Sequence, residues 1–362
     1  MCGNLSMNEP DVGATGNSPA SAGARSEGHG VWRGGQGESG PAAAAQNGVS
    51  LREELGQACL IRDQALAAAR QVLDGFRQGH VTELPLVRSV IDTMLGSVRR
   101  QPAALVNLAR IKVAGDCAYA HAVSVGVLML ALACQLGLDD ETCRDYGLAG
   151  MLQDLGMSQM PQALLQQPGV LSPAQFQHLR AHATLGHQML LRSGMGEGPW
   201  LDAALQHHER CDGGGYPQGL QAEQIAPVAR MGAICDVYDA LTSERSHRPA
   251  WTPVQALAAM AAARGQFDRS ILAAFIKLVG VYPVGTLVRL ASQRLALVIE
   301  SRPEAPRQPL LQPFFSLRTG SRLQAQALDT LLEPEADRIL HVESPKTWGF
   351  SDLDDMWLAR AA

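Results

Sequence analysis

The sequence predicts a mainly α-helical protein with a small β-rich extension at its C-terminal end. Three observations predict it. Apolar residues recur at helical spacing from Leu51 to about residue 280, the pattern turns to alternation after Tyr282, and the first 50 residues carry almost no large apolar side chains.

Taken in order, residues 1–50 are rich in Gly, Ala, Ser and Asn. Such a segment buries too little surface to offset its ordering entropy and is expected to be disordered. An N-terminal helical region, 51–110, follows. LREELGQACLIRDQALAAARQVLDGF and ELPLVRSVIDTMLGSVRR each place apolar residues on one face, with a break at His80–Thr82. Further helices are predicted at roughly 102–113, 117–137, 141–155, 173–193, 198–208, 221–242, 253–263 and 268–280, most of them within a body spanning 111–280. In the extension, 281–362, the run TLVRLASQRLALVIE alternates and is rich in Val, Leu and Ile, which predicts a hairpin turning at ASQR. There is no internal repeat.

A chain of 362 residues with 46% hydrophobic content is long enough for one sizeable core. Its formal net charge of −5 and pI near 6.1 argue against a binder of nucleic acid polymers or anionic membranes. A small anionic ligand in a locally positive site remains compatible with that charge. The seven cysteines are scattered without a CxxC pair, which reads as reduced thiols rather than a disulfide framework. MCGNLSMNEP lacks the basic start and apolar run of a signal peptide. The most apolar stretch, Ala122–Leu138, is interrupted by Ser124, Gly126 and Gln135, and is expected to be a buried helix rather than a membrane span. A cytoplasmic location is the expectation.

The stretch HHERCDGGGYPQGL, 207–220, concentrates metal-binding residue types beside glycines that let backbone come close to a neighbour. Other candidate ligands lie on separate predicted helices: His121, Asp154 beside Gln153 in GMLQDLGM, His182 in RAHATLGH, and Asp236 in AICDVYDAL. Imidazoles and carboxylates carried inward by several helices are how helical proteins build dinuclear sites. Taken singly, a histidine such as His187 or His247 reads as a surface or core residue. Asp236 and Asp239 equally suit helix-face acids paired with Arg230, Arg245 or Arg248.

Together these motifs resemble those of the HD-GYP family of cyclic di-GMP phosphodiesterases, over roughly Lys112–Leu290. HHERCDGGGYP is similar to the family's HHE-x-x-DG-x-GYP signature. QQPGVLSPAQFQHLRAHATLGHQML, CDVYDALTSERSHR and YPVGTLVRL look like the segments on either side of it. The resemblance implies an HD-superfamily helical bundle and one or two divalent ions, iron or manganese, per chain. His121, Asp154 and Asp236 would hold one ion, and Asp154, His182, His207 and His208 the other. It implies catalytic acids at Asp154, Glu209 and Asp212, and substrate contacts from Gly213, Gly215, Tyr216, Pro217, Arg245 and Arg248. Tyr216 suits either a stacking surface or a packed corner. Arg245 and Arg248 suit either phosphate or the acids of their own helix. The implied ligand is cyclic di-GMP, hydrolysed to pGpG or GMP. The implied partners are diguanylate cyclases of the GGDEF type and a second copy of the chain.

The chain departs from the family where the HD histidine and the lysine of HD-x-GK belong. Gln153 and Met157 stand there. An amide oxygen is a poorer donor to iron or manganese than imidazole, and Met157 removes a positive charge, so impaired activity is expected. The alternative is an inactive module that binds cyclic di-GMP or partner proteins. Cys117, where a third-metal glutamate would stand, implies no trinuclear site.

Overall fold

The computed structural model describes residues 49–78, 84–109, 117–165, 167, 169–244, 250–302, 305–324, 326–332, 337–350 and 352–358. The expected disordered segment and the arginines Arg245 and Arg248 lie outside the described residues, apart from positions 49 and 50.

Helices α1 (Leu51–Arg77), α2 (Leu84–Arg100) and α3 (Pro102–Ala109) lead into α4 (Cys117–Gln135) and α5 (Asp140–Leu152). A 3₁₀ turn over Leu155–Gln159 and the short α6 (Gln162–Leu165) connect to α7 (Pro173–Arg192) and α8 (Pro199–Gln206). Helices α9 (Pro227–Thr242), α10 (Pro253–Ala262) and α11 (Arg269–Val279) complete the helical body. The starts are set by local chemistry. Ser50, Ser172 and Thr252 each cap a helix and receive the reciprocal bond from Glu53, Gln175 and Gln255. Proline stands in the first turn of α7, α8, α9 and α10, where its missing N–H leaves no partner wanting.

Helix α4 organises the body. It is apolar all round, so no single face can be turned to water. It is long and apolar enough to cross a membrane by composition, yet α1, α3, α5, α9 and α11 pack around it and most of it is buried. One continuous core joins Ile91, Met94, Leu105 and Leu108 to Met129, Leu130, Leu132 and Leu148. That core runs straight through the boundary expected at 110. The predicted helix at 221–242 begins only at Pro227, because Gln221 bridges back to Asp212 and Ala222–Gln224 form a 3₁₀ turn.

The C-terminal extension is an antiparallel sheet built from β1 (Leu287–Leu290), β2 (Arg294–Glu300), β3 (Leu310–Ser316), β4 (Ser321–Arg322), β5 (Leu328–Asp329) and β6 (Ile339–Val342). Its order is β4-β3-β2-β1-β6, with β5 also on β3. The predicted hairpin is β1–β2, turning over 291–293. Alternation in β2 sends Leu295 and Leu297 to the helical core, and Ala296 and Val298 to a second small core with Val288, Leu290 and Leu311. Two short helices that the sequence pattern did not predict, α12 (Pro345–Trp348) and α13 (Leu353–Leu358), follow, and Trp357 of α13 is fully buried.

Glu54 of α1 is the charged group most fully enclosed in the N-terminal helices, and Arg100 of α2 clamps it through Nε at 2.7 Å and Nη2 at 2.8 Å. Burial raises the Glu54 pKa, but the hydrogen bonds from Arg100 outweigh it and hold the carboxyl below its ordinary value. Arg100→Met leaves that carboxylate unpaired and is expected to destabilise the fold by about 2 kcal/mol at pH 7, read by urea denaturation. Because the folded pKa is depressed, the wild-type advantage is present above the unfolded value and fades as pH falls below about 4.

Candidate metal centre

Five elements deliver the expected ligands to one place. His121 comes from the second turn of α4, His182 from the middle of α7 and Asp236 from α9. His207 caps the end of α8 with His208 just beyond it. Asp154 stands between the end of α5 and the 3₁₀ turn. Its position depends on a close backbone approach. A Cβ on Gly156 would lie 1.9 Å from the His182 carbonyl oxygen, and one on Gly186 would lie 2.9 Å from the Gly156 nitrogen. Only glycine at these positions lets the turn settle on α7 and bring Asp154 beside His182.

Two groups of donors result, each with all its ligand atoms within 4.8 Å of one another: Asp154, His182, His207 and His208, and His121, Asp154 and Asp236. Asp154 belongs to both. Its Oδ1 lies 3.4 Å from His182 Nε2 and 3.3 Å from His207 Nε2, while its Oδ2 lies 3.2 Å from His121 Nε2. The His121 Nε2 is also 3.0 Å from Asp236 Oδ1.

The chemistry of the donors matches a divalent cation. His182 Nδ1 faces the Leu179 carbonyl at 2.7 Å and His207 Nδ1 faces the Ala203 carbonyl at 2.8 Å. A carbonyl can only accept, so these Nδ1 atoms carry the hydrogens and each Nε2 presents its lone pair inward. Those Nε2 atoms are 3.5 Å apart, and His208 Nε2 is 3.1 Å from His182 Nε2. Lone pairs that converge in this way repel unless a cation or a proton sits between them. Asp236 Oδ2 is buried without a hydrogen-bond partner. His121 is steered from behind, its Nδ1 2.7 Å from Asp239 Oδ2, and Ser124 Oγ donates to the other oxygen of Asp239.

The electrostatics show the same demand for positive charge. Burial raises the Asp154 pKa, but bonds from His121, His182 and His207 outweigh it and hold the carboxyl well below the usual range. Burial lowers His121, yet Asp154, Asp236 and Asp239 push it well above an ordinary histidine. Burial lowers His207 too, and Asp154 raises it on balance. Burial followed by repulsion from His207 and His182 drives His208 well down, which keeps it neutral and ready to donate a lone pair.

The glycine-rich loop braces this centre. Glu209, buried at the start of the loop, accepts the backbone N–H groups of Gln218 at 2.6 Å, Gly219 at 3.1 Å and Leu220 at 3.0 Å. Gly215 crosses so near that a Cβ there would sit 2.4 Å from both Arg210 N and Glu209 Cα. The Tyr216 N–H then donates to the His208 carbonyl, and its ring stacks on His208 with centroids 4.7 Å apart. The Arg180 guanidinium lies 4.4 Å from the Tyr216 centroid. Tyr216 is thus a packed corner that fixes the His208 ring, with its hydroxyl unpartnered.

Two of the expected catalytic acids are engaged within the loop itself. Glu209 and Asp212 stand in neither donor group. Glu209 is consumed by the loop amides, and Asp212 by Arg210 and the Gly214 N–H. Gly213 has a φ of 79°, and with Gly215 and Pro217 it shapes the loop. Gln153 is 1% exposed, its amide oxygen packed where a Gly232 Cβ would be and neither amide atom bonded. Met157 lines a cavity of about 100 Å³ that reaches His121, Asp154, His182, His208 and Asp236. Sequence reasoning missed the steering role of Asp239 and Ser124. Their i+3 spacing from Asp236 and His121 was the available signal. It also missed Leu73, Arg77 and Tyr119, which line the same cavity and carry no local signal at all.

Comparison with known proteins agrees with the site. Residues 99–271 match the HD domain family. A cyclic di-GMP phosphodiesterase of Pseudomonas aeruginosa is 40% identical over 321 residues, which is 89% of this chain and 78% of that protein. The cyclic di-GMP phosphodiesterase response regulator RpfG of Xanthomonas campestris pv. campestris is 38% identical over 40% of this chain and 38% of its own length. In fold, the chain resembles an HDG"Y"P protein from Bdellovibrio bacteriovorus, with a TM-score of 0.50 at 20% identity over 64% of this chain and 72% of that one. With the signature loop, the donor groups and a relative matched along most of both chains, this protein belongs to the HD-GYP family.

Proposed function

We propose that this protein is a cytoplasmic, metal-dependent phosphodiesterase that hydrolyses cyclic di-GMP to pGpG, with a rate lowered by Gln153 and Met157. The observation that carries this reading is the single carboxylate, Asp154, shared by two donor groups. Iron or manganese held there would polarise the phosphate and activate a water for attack on phosphorus. The chain's own residues prepare for this. Asp154, its side chain 28% exposed, lines the cavity and is held ionised by three imidazoles. Asp239 fixes the face that His121 presents, and Tyr216 fixes that of His208. Met160, Leu165 and Leu179 give the cavity an apolar wall suited to a purine and able to exclude water. The names of the relatives from Pseudomonas and Xanthomonas support cyclic di-GMP as the ligand.

Gln153 supports a second reading. Its neutral, unpartnered amide leaves the His121, Asp154 and Asp236 group with one imidazole against three in the other. A centre so weakened on one side suits a module that binds cyclic di-GMP and signals through partners such as diguanylate cyclases.

The two readings separate in one experiment. The protein is purified without chelator, its iron and manganese are counted per chain, and pGpG formation from cyclic di-GMP is followed under reducing conditions. Steady product is expected, with Asp154→Ala losing both the metal and the product. Retention of both by Asp154→Ala would sink the enzyme reading. Gln153→His is expected to raise the rate at limiting metal by about tenfold or more. Tight binding of cyclic di-GMP with no product over hours, in the metal-replete wild type, would instead establish the second reading.

A further inference from the structure

The cavity over the metal centre is not built by the HD segment alone. The C-terminal end of α1 packs against the 3₁₀ turn that follows Asp154, and brings Leu73 and Arg77 into the cavity wall. These residues precede the segment 99–271 that matches the HD domain family. The electrostatic balance of the wall makes the arrangement informative. Asp154 and Asp236 bring negative charge, Met157 brings none, and among the described residues that line the cavity Arg77 alone carries a permanent positive charge. Among the described lining residues, the fixed cation that a ligand with two phosphate groups would meet comes from α1.

Arg77 is held in place for that task. Its Nη1 donates to Asp74 Oδ1 at 3.2 Å, and the same oxygen accepts the Tyr119 hydroxyl at 2.8 Å, which ties α1 to the first turn of α4, two residues before His121. The Arg77 and Asp74 side chains are 50% and 40% exposed, so the pair between them is weakly held and leaves the guanidinium at the cavity rim. A guanidinium has five N–H donors in a planar fork, so one bond to Asp74 is compatible with a two-point grip on phosphate. We infer that Arg77 is a substrate-binding residue that grips a phosphate of the cyclic dinucleotide from the N-terminal helix, in the cavity that the lysine-less position Met157 also lines. The inference rests on the functional reading above.

The test is equilibrium binding of the bisphosphorothioate analogue of cyclic di-GMP, which resists hydrolysis, to full-length protein carrying its metal. Wild-type binding is read first, and its absence would overturn the functional reading together with this inference. Given wild-type binding, Arg77→Gln is expected to raise Kd by about tenfold, the scale of one charge-assisted bond. Arg77→Lys is expected to fall between, and Asp63→Asn, an exposed change on the same helix, to leave Kd unchanged. Adding Met157→Lys to Arg77→Gln is expected to recover most of the loss by returning a cation to the same cavity. In turnover, Arg77→Gln should raise KM far more than it lowers kcat. A Kd for Arg77→Gln within twofold of wild type would overturn the assignment. So would a loss that Met157→Lys leaves unrepaired and that Tyr119→Phe reproduces, because Arg77 would then serve only to fasten α1 to α4.

Discussion

Lone pairs brought face to face are the constraint on which this structure turns. His182 and His207 are each pinned by a carbonyl of their own helix, so neither ring can swing its Nε2 away from the other. His208 is pinned by the ring of Tyr216. Three basic nitrogens and the shared carboxylate are therefore fixed in a space that only positive charge can make comfortable. Burial lowers His121 and His207, but Asp154 raises both on balance, with Asp236 and Asp239 adding to it at His121. A divalent ion would suit that space, since it could accept several lone pairs at once, and its binding would release any protons held there.

The signature loop is best understood as the mechanical support of that arrangement. Glu209 follows the two histidines directly, and its carboxylate gathers three loop amides. An ionised acceptor serving several backbone donors forms bonds stronger than neutral ones, and closing them inside the protein leaves little freedom to the chain between. The loop so closed returns Tyr216 to the far side of His208. Sequence neighbours in HHERCDGGGYP thus act on each other through a turn of backbone, and the motif is conformational as much as chemical. The same economy appears behind His121, where Asp239 is aligned by Ser124 from within α4 and by Ser243 at the end of α9.

Much of this was legible in the sequence, and the part that was not has a physical reason. Helix α4 announced itself because a run apolar on every side has no stable place except a core. The strands β1 and β2 announced themselves through alternation. The ligands could be read from the family resemblance because the residues that bind metal are a small set of types with fixed order along the chain. The loop bonds of Glu209 and Asp212 could not be read in advance, because a carboxylate inside a signature looks the same in sequence whether it faces the ligand or the loop. The direction it faces is decided by Gly215 crossing over it, a three-dimensional fact. The late start of α9 follows from the bridge between Asp212 and Gln221, again a contact between positions that the local pattern cannot relate. Arg77 lay furthest from view, since an arginine in the last turn of an amphipathic helix is ordinary until packing shows where that turn ends.

Gln153 shows how such a fold can absorb a change at its centre. Gly232 offers no side chain opposite it, so the amide fits without displacing α9, and His207 keeps its place nearby. The steric problem is solved and the polar one is not. Buried donors and acceptors without partners cost roughly 1–3 kcal/mol each, and both ends of this amide are in that state. The amide lies at Gly232, close to His207, while the donor groups themselves differ, one with three imidazoles and the other with His121 alone. Affinity for a transition metal follows the number and kind of donors more than their mere proximity. The two halves of the centre are therefore unequal by construction, the three-histidine half fit to hold an ion firmly and the other dependent on what Asp154 can share with it.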